Sequence, residues 1–229
     1  AICAAAVWYG PSALASIKFA SPWSEVSAFY GVIFGPMLLC GLTASWLSKL
    51  SPFPLGRSPA LWGLVGLVAG ATGLALSFLD ARLANIVVDG RGGNLGSMAL
   101  LGGVGITLFQ CLSEEVLFRG WAQSFLVKQV GALAGILLAS LLFMGFHLIG
   151  APLSPLAMLN LFLGGILFGL FAWRSGGIIA PFAAHFAWNV TEDVGLGLVP
   201  NPGVGGFGAI IDYDLVGRSL WGGSAEGLN

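Results

Sequence analysis

Apolar positions fall in long, nearly unbroken blocks, and polar positions cluster between them. The blocks lie near 1–17, 26–48, 60–79, 97–127, 131–149, 155–173 and 177–198, divided by "KFASPWSE", "KLSPFPLGRSP" and "DARLANIVVDGRGGN" and by shorter Pro and Gly breaks. Each approaches the roughly 20 residues that carry a helix across a hydrocarbon core. The alternation of an outer-membrane strand is absent. The pattern therefore predicts an all-α, polytopic transmembrane helical bundle of about seven spans, forming one domain over residues 1–199. At ~31 residues the fourth block is too long for one straight crossing, which predicts a break or strong tilt near Ser113, or two helices. After Pro200 the chain becomes Gly-rich and acidic without a helical period, so residues 200–229 are expected to form an irregular tail.

Composition strengthens the membrane reading. Of 229 residues, 57% are hydrophobic and 8% charged, with a mean hydropathy of +0.92, far from the average of a soluble domain. A net charge of −1 without a basic stripe leaves nothing for nucleic acid. Cys3, Cys40 and Cys111 sit in apolar runs without paired spacing and read as packing residues rather than disulfide or metal partners. The opening "AICAAAVWYG" lacks a basic n-region and reads as part of a first span rather than a signal peptide, with the true start allowed to lie upstream. Gly31/Gly35, Gly66/Gly70, Gly131/Gly135 and Gly165/Gly169 offer small faces for close helix approach. Seven spans put Lys49, Arg57, Lys128 and Arg174 on one side and Lys18, Arg82, Arg91 and Arg218 on the other. The positive-inside count is tied, and the N-terminus and the first group are assigned to the cytoplasmic side of a plasma (inner) membrane.

Ionisable residues inside spans are costly and mark function. The candidates are Glu114, Glu115, Arg119, His147, His185 and Asn189, with Glu192 and Asp193 after them. Glu115 and Arg119 are spaced as a helical ion pair with the acid N-terminal, which leaves Glu114, about 100° around the helix, for another task. The competing bland reading makes Ser113 a helix N-cap with two acids in the first turn. His185 and Asn189 share a helical face. A carboxylate, two imidazoles and a carboxamide from three spans are the groups needed to activate water and hold the oxyanion of a tetrahedral intermediate.

The stretches "EEVLFR", "FMGFH" and "HFAWN" resemble the EExxxR, FxxxH and HxxxN motifs of the CAAX protease and bacteriocin-processing (CPBP, or Abi) family of glutamate intramembrane proteases, which includes type II CAAX prenyl endopeptidases. The resemblance covers roughly residues 97–195. It implies a peptide hydrolase without cofactor or metal, in which Glu114 is the general base on water and His147 assists. His185 and Asn189 would hold the oxyanion, and Glu115 and Arg119 would orient the scaffold. The implied partners are a membrane-associated peptide or protein substrate and the lipid bilayer.

Three rivals stand beside this reading. His147, His185 and an acid could form a zinc site, although no HExxH is present. The chain could instead be a non-enzymatic scaffold, chaperone or tetrapyrrole binder, or a transporter relaying protons through Glu and His. The sequon at Asn189–Thr191 falls inside a predicted span and is discounted.

Overall fold

The computed structural model describes residues 2–90, 97–150, 154–198, 204–217 and 228. Every predicted apolar block is helical: α1 Ile2–Leu14, α2 Pro22–Leu47, α3 Pro59–Leu83, α4 Ser97–Glu115, α5 Ser124–Val130, α6 Ala132–Gly150, α7 Pro155–Ser175 and α8 Ile179–Val190. Local chemistry sets several boundaries. Ser21 and Ser24 form a capping box ahead of Pro22, and the Ser154 side chain caps α7 ahead of Pro155. Gly176 closes α7 at φ 76°, a left-handed conformation that costs glycine nothing.

Two expectations change. Of the seven expected spans, five segments among the described residues have the length and apolarity to cross a bilayer: Pro22–Leu47, Pro59–Leu83, Met98–Val130, Ala132–Ile149 and Pro155–Ser175. At 13 and 12 residues, α1 and α8 are shorter. Helix α8 is an inner helix, with Ala180, Pro181, Ala183, Ala184, His185, Ala187 and Asn189 all buried. The fourth block does not break near Ser113. It runs from Ser97 to Val130, and Val116–Gln123 is π-helical. A π turn accommodates an extra residue and rotates the succeeding side chains about the axis without ending the helix, and such turns concentrate at functional sites.

The described part of the tail, residues 204–217, is held against the bundle. Tyr213–Leu215 (β2) pairs antiparallel with Val87–Asp89 (β1) in the loop after α3. Phe207 is buried against Val26, Tyr30 and Val194, and Ile210 and Ile211 donate backbone N–H groups to Val194 and Gly195. A few aromatic anchors and backbone pairings suffice to dock a segment that has no helical period.

Small residues decide how closely α3 approaches α8. A Cβ on Gly66 would meet the Ala180 carbonyl oxygen at 2.3 Å, and one on Gly70 the Ala184 carbonyl oxygen at 2.1 Å. This pair therefore packs as its spacing predicts. Gly165 and Gly169 similarly press on Ser140 and Ile136, whereas a Cβ on Gly31 or Gly35 would meet nothing within 4 Å. Gly70→Ala should force α8 away from α3 and destabilise the fold by about 1–3 kcal/mol, the usual cost of overpacking. Thermal unfolding in detergent should show this loss, and Gly31→Ala should unfold with the wild type.

Candidate active site

The last two residues of α4 are Glu114 and Glu115. Ser113 does not cap a helix there: it is interior to α4, and its Oγ donates to the Phe109 carbonyl at 2.7 Å. The run of acids is thus no first-turn decoration. Glu114 is buried, and Gln110, one turn earlier, donates from Nε2 to its Oε1 at a long 3.5 Å. Its other oxygen, Oε2, is buried with no hydrogen-bond partner among the described residues.

Glu115, completely buried, is the hub. Its Oε1 accepts from Arg119 Nη1 at 3.0 Å and from His185 Nδ1 at 2.9 Å. The π-helical turn carries Arg119, which also donates from Nη2 to the Gly165 carbonyl on α7 at 3.3 Å. Its guanidinium lies 4.4 Å from the ring centroid of Phe143 and 5.3 Å from that of Phe168. A buried guanidinium is tolerable only with this combination of counter-charge, carbonyl and aromatic faces.

His185 comes from α8. With its Nδ1–H donated to a carboxylate, its Nε2 faces the other acid, 3.8 Å from Glu114 Oε2. Phe168 stacks on the imidazole at 5.0 Å, so ring position and tilt are both set. Asn189 lies one turn further along α8, buried, and its side chain makes no hydrogen bond among the described residues.

His147 occupies a different position. It is half-buried near the end of α6, and its Nδ1 hydrogen-bonds the Phe143 carbonyl at 2.9 Å. A carbonyl only accepts, so Nδ1 carries the proton and Nε2 is left for chemistry. The Phe143 ring meets the His147 imidazole at 4.8 Å and the His185 imidazole at 6.2 Å. The structure thus brings Glu114, Glu115, Arg119 and His185 together directly, with Asn189 buried one turn beyond His185 on α8. His147 stands across the Phe143 ring, without a polar contact to those four among the described residues. Glu114 and His147 stand at similar heights in the folded chain. Helices α5 and α6 double back at Gly131, and both residues lie about 24 Å along the helices from that turn. Edge-to-face contacts of Phe118 with Phe143 and Phe146, at 5.2 and 5.4 Å, fix this register.

Glu192 and Asp193 are buried in a second π-helical turn, Thr191–Gly195. Glu192 accepts from the Trp188 indole at 3.1 Å and from the backbone N–H of Leu228 at 2.8 Å, so it ties the tail to α8. Reading the sequence missed three contributors: Gln110, Phe143 and Phe168. Gln110 could have been found four residues before Glu114. Phe143 opens the FxxxH motif, and its carbonyl and ring both serve the site. Phe168 left no signal, being one Phe among 16. Cys111, read as a packing residue, is fully buried and interacts with His185, so it belongs to the surroundings of the site as well as to the core.

Residues 96–191 match the type II CAAX prenyl endopeptidase Rce1-like family model. The matched stretch contains Glu114, Glu115, Arg119, His147, His185 and Asn189. Comparison with curated proteins and with solved structures gave no match.

Removing one member of a buried ion pair leaves the other uncompensated, at a cost of about 3–5 kcal/mol. Arg119→Leu should therefore unfold far below the wild type in a thermal melt. Glu114→Gln, which removes no direct counter-charge of Arg119, should stay close to the wild type in the same assay.

Proposed function

We propose that this integral membrane protein, whose residues 96–191 match the Rce1-like endopeptidases, hydrolyses a peptide bond with a water activated by Glu114. The observation that carries the reading is the Glu114 carboxylate, with Oε2 buried, free of hydrogen bonds among the described residues and 3.8 Å from His185 Nε2. A water held there would meet a base on one side and an imidazole on the other.

The charges set the order of events. Glu114 takes a proton from water as the oxygen attacks the peptide carbonyl, and negative charge moves to the carbonyl oxygen. His185, with Nδ1–H held by Glu115 and a second proton on Nε2, donates to that oxyanion together with the Asn189 amide. With both imidazole protons present, Glu114, Glu115, Arg119 and His185 sum to zero charge, the state that low-dielectric surroundings tolerate best. As the intermediate collapses, the carbon–nitrogen bond breaks and the departing amine takes the proton from Glu114. His147, through Nε2, assists this transfer. Glu115 and Arg119 touch no reacting atom and act by holding His185.

A membrane-associated peptide is the substrate class that fits a site buried among helices able to span a membrane. Prenylated CAAX peptides, bacteriocin leaders and C-terminal sorting tails all present such a segment. In membranes expressing Glu114→Gln instead of the wild type, one precursor should accumulate by quantitative proteomics. The purified wild type should cleave that precursor in liposomes, and the folded Gln variant should be slower by at least about 100-fold, the scale of a lost general base. Cleavage by the variant at the wild-type rate would remove Glu114 from the role.

A further inference from the structure

A second site lies on the far side of Arg119 from Glu114, where the helices meet the loops at residues 48–58, 128–132 and 173–178. There a pocket of about 180 Å³ is lined by Arg119, Gln123, Val127 and Trp173, with the Pro54 and Gly176–Gly177 backbones closing it. Its surroundings are strongly one-sided in charge. Lys128 follows the lining Val127, Arg174 follows Trp173, and the Arg57 guanidinium donates to the Arg174 carbonyl at 3.4 Å. With Lys49, this end of the bundle carries four exposed cations, and its three loops contain no Asp or Glu. The described residues at the opposite end carry Glu25, Asp80, Asp89, Asp212 and Asp214 against Lys18 and Arg82.

Two further features narrow the occupant. Gln123 is buried and donates from Nε2 to the Gly169 carbonyl at 2.9 Å, while its Oε1 is buried with no hydrogen-bond partner among the described residues. That oxygen packs against Gly169, so Gln123 contributes a fixed polar wall to the pocket rather than an open acceptor. Trp173 and Trp46 are both exposed, the arrangement of indoles at the level of lipid headgroups. The pocket therefore opens where a bilayer places phosphate.

We propose that this pocket binds the headgroup of an anionic glycerophospholipid, its phosphate drawn to the exposed Lys128, Arg174 and Arg57 cations beside the pocket. Basic pockets between helices on the cytoplasmic side of membrane proteins take headgroups in this way. Phosphatidylcholine carries no net charge for these cations to attract. The pocket shares Arg119 with the candidate active site, but the proposal concerns binding alone and does not rest on the proposed hydrolysis.

Native mass spectrometry of the purified full chain, with phosphatidylglycerol and phosphatidylcholine as probes, tests it. One phosphatidylglycerol should be retained at a concentration about tenfold below that needed for phosphatidylcholine, and Lys128→Glu/Arg174→Glu should remove at least about tenfold of that retention. Both residues are exposed, so the variant should keep the wild-type melting temperature. Lys18→Glu, at the opposite end, should leave retention unchanged, and excess inorganic phosphate should not displace the lipid. Equal retention of the two lipids would overturn the proposal. So would unchanged binding in the double variant, an equal loss in Lys18→Glu, or displacement by phosphate, which would mark a site for soluble anions.

Discussion

One carboxylate oxygen carries two obligations in this protein. Glu115 Oε1 is the acceptor for both Arg119 and His185, and through them it joins the π-helical turn, α7 and α8. In hydrocarbon none of the three groups is tolerable alone, and each is acceptable because the others are fixed. The cost of burying charge thus becomes a specification of geometry: any packing that separates α8 from α4 strands an ion. This constraint also frees Glu114, because its neighbour already answers the cation.

The aromatic shell extends the same logic. Phe143 offers its carbonyl to His147 and its ring face to Arg119, and Phe168 stacks on His185 beneath the same guanidinium. Rigid rings place imidazoles more reproducibly than flexible side chains would, at little conformational cost. On the other side of α8, glycine-mediated contact with α3 leaves the helix no lateral freedom. His185 is consequently pinned from two directions.

The site was legible in the sequence because charge is conspicuous against an apolar background: two histidines and an EExxxR cluster stand out when 8% of residues are charged. Helix positions were legible for the same reason, since Pro and Ser punctuate the blocks. What the sequence did not disclose depends on three-dimensional register. The π turn at Val116–Gln123 has no local signature, because its extra residue per turn is stabilised by packing such as the Pro52 carbonyl seated against Gly120. The pairing of Tyr213–Leu215 with Val87–Asp89 joins residues far apart in sequence. The length of α8 was overread because an apolar block looks alike whether it faces lipid or other helices.

That short helix bears on how a hydrolase could work inside a bilayer. Even continued through its π turn to Gly195, this helix rises about 25 Å at most, against about 30 Å of hydrocarbon. The shortfall is filled by turns whose backbone polar groups survive at that depth only behind protein or against water. The docked tail covers that end, its Ile210 and Leu228 backbone N–H groups meeting the Val194 carbonyl and the Glu192 carboxylate.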